Sequence, residues 1–81
     1  MNEAGEKVTI ELTAEEALVL FELLSRWRET GVQSILLHHQ AEQRVLWDIL
    51  ATLESTLVEP FMPDYQDQLN KAREMVKDDL G

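Results

Sequence analysis

The chain has 81 residues, no cysteine, and 16 acidic against 7 basic side chains, for a formal net charge of −9. That length suits one domain, residues 1–81, and the missing thiols exclude disulfides and cysteine chemistry. The acidic excess argues against nucleic acid and anionic membranes, both of which are gripped by Lys and Arg, and favours a protein partner with a basic surface. No apolar run approaches the ~20 residues of a membrane-spanning helix. The start of the sequence lacks the basic end and apolar core of a signal peptide. The expected setting is the cytoplasm, which the lack of cysteine suits.

Residues 1–6 are polar and carry Gly5, as a frayed end would. Val8-Thr9-Ile10-Glu11-Leu12 alternates apolar and polar residues, which predicts a short N-terminal strand. Thr13-Ala14-Glu15-Glu16 has the spacing of a capping box and opens a helix from Ala14 to about Glu29, stopped by Thr30-Gly31. Ala17, Leu20, Phe21, Leu24 and Trp27 fall on one face of it, and Glu22, Ser25, Arg26 and Glu29 on the wet face. Leu18 projects among those polar residues. Residues 32–37 fit either a second short strand or an early turn of the next helix; the extended form is favoured.

A second helix is predicted over Gln40 to Val58, with Val45, Leu46, Ile49, Leu50, Leu53 and Leu57 as a wide core face. Trp47, Ala51 and Val58 make a second apolar stripe, so this helix is either sandwiched or partly used in an interface. Pro60 ends it, and Phe61 is expected to be buried as the anchor of the next turn. Pro63 fits the first position of a third helix, whose stripe is Tyr65, Leu69, Ala72, Val76 and Leu80, with Asp67 and Lys71 as an i, i+4 ion pair. The fold class expected is α+β and mostly helical: a short N-terminal strand, three helices and the uncertain second strand. An all-helical bundle is the close alternative.

The stretch Ala41-Glu42-Gln43-Arg44-Val45-Leu46-Trp47-Asp48, then Leu57-Val58-Glu59-Pro60-Phe61 and Pro63-Asp64-Tyr65, resembles a set of small uncharacterised bacterial proteins. The segment Glu15-Glu16-Ala17-Leu18-Val19-Leu20-Phe21-Glu22 extends the likeness. The resemblance implies a bacterial cytoplasmic protein and carries over no functional residue.

Candidate chemistry is sparse. His38, His39 and Glu42 are the nearest thing to a metal-ligand cluster, but a zinc site needs three or four ligands and no further His or Cys exists. Ser25, Ser34 and Ser55 lack a nucleophile motif, and Gly5, Gly31 and Gly81 are too scattered for a phosphate loop. Trp27, Trp47, Phe61 and Tyr65 at helical spacing suit a core better than a ligand pocket. A strand followed by helices resembles a ribbon–helix–helix DNA-binding regulator, yet Lys7, Thr9 and Glu11 would face the DNA and only one is basic.

The sequence therefore points away from an enzyme and from any cofactor, and toward a protein–protein interaction module that forms a homodimer. Val8, Ile10, Leu18, Trp47, Ala51 and Val58 are the candidate interface. Glu11, Glu15, Glu22 and Glu29 are the candidate acidic surface for a basic partner. An immunity protein or antitoxin covering a basic toxin is the narrower alternative, and the DNA-binding regulator the alternative of different class.

Overall fold

The computed structural model describes residues 7–31 and 38–80. It contains helix α1 (Ala14–Thr30), helix α2 (Gln40–Thr56), a single 3-10 turn (Glu59–Phe61) and helix α3 (Tyr65–Leu80). Among the described residues there is no strand, so the fold is all-helical and the α+β expectation is corrected. The alternation at residues 8–12 marks a segment that suits a sheet, but a strand exists only beside a partner. Among the described residues no backbone hydrogen bond engages residues 7–12, and Val8 and Ile10 are 77% and 72% exposed. The expectations for residues 1–6 and 32–37 lie outside the described residues.

Helix α1 starts and stops where the sequence says. The Thr13 hydroxyl accepts from the Glu16 backbone N–H at 3.0 Å, and the Glu16 carboxylate accepts from the Thr13 N–H at 2.9 Å. This reciprocal arrangement satisfies two donors that the first turn would otherwise leave open. At the other end Gly31 takes the left-handed conformation, φ 73°, and its N–H donates to the Trp27 carbonyl at 2.9 Å. A side chain with a Cβ is disfavoured in that conformation, which is why glycine stands there.

Both other helices pack on α1. Toward α2, Phe21 and Leu24 meet Leu50 and Leu53, with Trp27, Leu46 and Trp47 packed around them. Toward α3, Leu18 meets Leu69 and Ala72, with Val19 beside them. Leu57 and Tyr65 touch both clusters and fill the seam between α2 and α3. Leu18, expected at an interface, is 5% exposed. The helix that is apolar on two sides and sandwiched is therefore α1, not α2. A leucine among charged neighbours was the mark of the second contact face.

Helix α2 touches α1 through a narrower stripe than its sequence offers. Leu50 and Leu53 are buried, whereas Val45 is 57% exposed and Ile49 is also exposed. No described segment covers that flank, because α3 turns its buried face to α1 instead. The helix ends at Thr56, two residues early, and Leu57 turns to extended backbone with its N–H on the Leu53 carbonyl at 2.8 Å. The hydroxyls of Thr52, Ser55 and Thr56 all donate back to helix carbonyls, an arrangement that competes with clean helix propagation. Helix α3 begins at Tyr65, so Pro63 lies in the preceding turn rather than at the first helical position. The Asp67–Lys71 ion pair does not form; the ion pairs among the described residues are Arg26–Glu22, Arg28–Glu54 and Arg44–Asp48. No described helix is long and apolar enough to cross a membrane.

Candidate interaction surface

Among the described residues four places expose large apolar side chains: the connection between α2 and α3, the open flank of α2, the arm before α1, and Met75 on α3. At the connection, Val58 and Met62 are exposed and Phe61 is 74% exposed. The expectation that Phe61 is buried is corrected. Pro60 and Pro63 restrict the backbone on either side of Phe61-Met62, and the turn is tied internally. The N–H of Phe61 donates to Val58 and that of Met62 to Glu59, both at 3.0 Å, and that of Tyr65 to Met62 at 3.1 Å. Leu57 before this turn and Tyr65 after it are the residues that pack on the core. Phe61 is thus carried outward on a short, braced loop. From Val45 through Asn70 the sequence has no Lys or Arg, while Asp48, Glu54, Glu59, Asp64 and Asp67 fall within it. In space Glu54 is paired with Arg28 and Asp48 with Arg44, and Lys71 lines a groove with Glu59, so Glu59 and Asp64 are the acids nearest to Phe61 along the chain.

On the flank of α2, Val45 and Ile49 share a face with Thr52 and Thr56. Both threonine hydroxyl protons are used within the helix. Arg44 and Asp48 sit next to this stripe and pair with each other at 3.4 Å. Trp47 is half-buried against the α1–α2 cluster, and Ala51 is exposed.

Two grooves accompany these surfaces. One, about 240 Å³, lies between the start of α1 and α3; Leu18 and Ala72 form its floor, and Glu15, Glu59, Lys71 and Met75 line it. The other, about 510 Å³ and widely open, runs along the start of α2 past His39, Gln43, Arg44 and Trp47. The residues nearest to a ligand set are occupied there with capping. His39 Nδ1 accepts from the Ala41 N–H at 2.9 Å, and the Glu42 carboxylate accepts from the His38 N–H at 2.8 Å. Among the described residues no three His, Cys, Asp or Glu side chains stand together as a metal site would require.

The expected acidic surface is split by packing. Glu15, Glu22 and Glu29 follow at intervals of seven and lie on one stripe of α1, but α3 covers its middle. Glu22 is half-buried and accepts a hydrogen bond from the Tyr65 hydroxyl at 2.9 Å. Burial first, then that bond and the Glu22 charge, push the Tyr65 phenol well above its ordinary value. Glu11 and Glu29 are exposed.

Of the candidate interface residues, Val8, Ile10, Ala51 and Val58 are exposed, Trp47 is half-exposed and Leu18 is buried. Sequence reasoning missed Phe61, Met62, Val45 and Ile49. The signal for the first two was the Pro60-Phe61-Met62-Pro63 bracket, since two restricted backbones limit how far the intervening pair can turn inward. For Val45 and Ile49 there was no signal, because an apolar helix face looks the same whether or not a neighbour covers it. Compared with protein-family models, curated proteins and solved structures, the chain matches none.

Proposed function

We propose that this chain is a non-catalytic protein–protein interaction module of the cytoplasm that works as a homodimer. The observation that carries this reading is the arm before α1, where two β-branched apolar side chains, Val8 and Ile10, stand exposed on backbone without a hydrogen-bond partner among the described residues. The open flank of α2 and the Phe61 turn add apolar area to a protomer whose buried core is seven residues among those described. Monomeric proteins rarely leave large contiguous apolar patches in water, because each Å² of apolar surface is stabilised by burial. Sedimentation velocity over a concentration series tests the proposal. A dimer at micromolar concentration is expected, and a monomer persisting to high micromolar concentration overturns it.

A second reading is favoured by a separate observation, the cation-free run from Val45 to Asn70 around exposed Phe61. It suits a partner with an apolar pocket rimmed by Lys or Arg, of which a toxin held by an immunity protein is one case. Charge opposite in sign speeds such encounters, and salt screens it. A partner whose association slows as salt rises, and which no longer binds the Phe61→Ala protein, supports this reading. An association rate that is flat with salt overturns it.

A further inference from the structure

We infer that the second copy is held by the arm: residues Lys7 to Glu11 of two protomers lie antiparallel, backbone against backbone, with Thr9 on the twofold axis. This rests on the homodimer reading above and adds the segment and its register. The protomer remains all-helical, and the pairing belongs to the assembly.

The arm supplies what such a contact needs. Its backbone donors and acceptors are unengaged among the described residues, and its side chains alternate. In extended form Val8, Ile10 and Leu12 take one side and Lys7, Thr9 and Glu11 the other. Unpaired backbone beside exposed β-branched residues is a template for a second chain. The capping box at Thr13 and Glu16 fixes where the arm ends and α1 begins.

The register follows from charge and parity. About Thr9, Val8 of one protomer lies opposite the partner's Ile10, and Ile10 opposite the partner's Val8. Lys7 lies opposite the partner's Glu11, and Glu11 opposite the partner's Lys7. Every contact is matched twice by the symmetry. A parallel arrangement would instead set Lys7 against the partner's Lys7 and Glu11 against the partner's Glu11. A slip of one residue turns apolar side chains toward polar ones. Centring on Ile10 keeps the apolar face but sets Lys7 opposite the partner's Thr13. There the N–H is taken by Glu16 and the carbonyl by the Ala17 N–H at 2.9 Å. Centring on Val8 loses both charge pairs. The arm also has equal numbers of acids and bases in a chain of net charge −9, so it is where two copies meet with little repulsion.

The chain has no cysteine, so one introduced thiol reports the geometry directly. Thr9→Cys should form a disulfide-linked dimer under mild oxidation, because the two side chains lie opposite each other. Glu11→Cys should not, since the two copies of residue 11 would stand ~13 Å apart, beyond disulfide reach. In an independent test, Lys7→Glu should weaken the dimer about tenfold by creating two like-charge pairs, and Lys7→Glu with Glu11→Lys should restore it. If the native protein dimerises but Thr9→Cys links no better than Glu11→Cys, or the double exchange recovers nothing, the register is wrong and the homodimer reading stands. If the native protein is a monomer, both fall.

Discussion

The Tyr65 hydroxyl donates to the Glu22 carboxylate at 2.9 Å, the one side-chain hydrogen bond that joins α3 to α1 among the described residues. Helix α3 is rich in charge, and its buried contact with α1 is small: Leu18, Leu69 and Ala72. The Tyr65–Glu22 bond sets how that helix is rotated on α1. Removing the hydroxyl by Tyr65→Phe should lower stability by ~1–2 kcal/mol. The loss is bounded because Glu22 keeps Arg26 at 4.0 Å and some access to water. Combining Tyr65→Phe with Glu22→Gln should cost less than the two single losses added, as chemical denaturation can show.

Burial of Tyr65, together with that bond and the Glu22 charge, predicts an alkaline instability. Tyr65 ionises well above the ordinary tyrosine value of about 10 in the folded chain and near that value when unfolded. Above pH ~10 the folded state therefore binds more protons than the unfolded state, and stability falls as pH rises. The contribution is complete below pH ~10 and is lost as pH climbs through the folded value. Tyr65 is the only tyrosine, so tyrosinate absorbance reads this group alone. A folded protein whose tyrosine titrates at the ordinary value would disprove the contact, and Tyr65→Phe should flatten the alkaline decline.

Exposure separates two aromatic and aliphatic truncations that look alike in the sequence. Phe61→Ala should change stability by less than ~1 kcal/mol, because surface changes away from special features are usually small. Leu50→Ala, at a position 1% exposed, should cost ~2–5 kcal/mol. Thermal melts of the two variants decide the matter, and a severe loss at Phe61 would mean that the turn is folded inward.

Leu18 offers the same contrast on α1. Leu18→Ala should cost ~2–5 kcal/mol by opening a cavity against Leu69 and Ala72. Val45→Ala, on the open flank of α2, should cost well under ~1 kcal/mol in the protomer. Equal losses at both positions in denaturant titrations would contradict the packing of α3 on α1.

The ends of α1 are predicted to matter through the backbone. Thr13→Ala should cost about 1 kcal/mol by removing a hydroxyl that caps the Glu16 N–H. Gly31→Ala should cost about 1 kcal/mol as well, for a different reason. A Cβ there meets nothing within 4 Å, so the penalty is the left-handed φ alone. Helical circular dichroism during thermal unfolding measures both.

Local chemistry determined the helices. The Thr13–Glu16 box, Gly31 and the period of the apolar residues act within a few residues along the chain, so the start and stop of α1 and the start of α2 were legible from the sequence alone. Pro60 likewise announced a break, though it could not say that α2 would stop at Thr56 and give Leu57 to the seam. What packs on what was settled only in three dimensions. Leu18 is buried because α3 crosses the side of α1 that carries it, while Val45 and Ile49 are exposed because the same helix is absent from theirs. Phe61 is outside while Leu57 and Tyr65, on either side of its turn, pack on the core. Alternation at residues 8–12 could not become a strand within the described chain for the same kind of reason: a strand is a relation between two segments, and burial is a relation between a side chain and whatever lies opposite it. Periodicity names a face that can be covered, and only the tertiary arrangement supplies the cover.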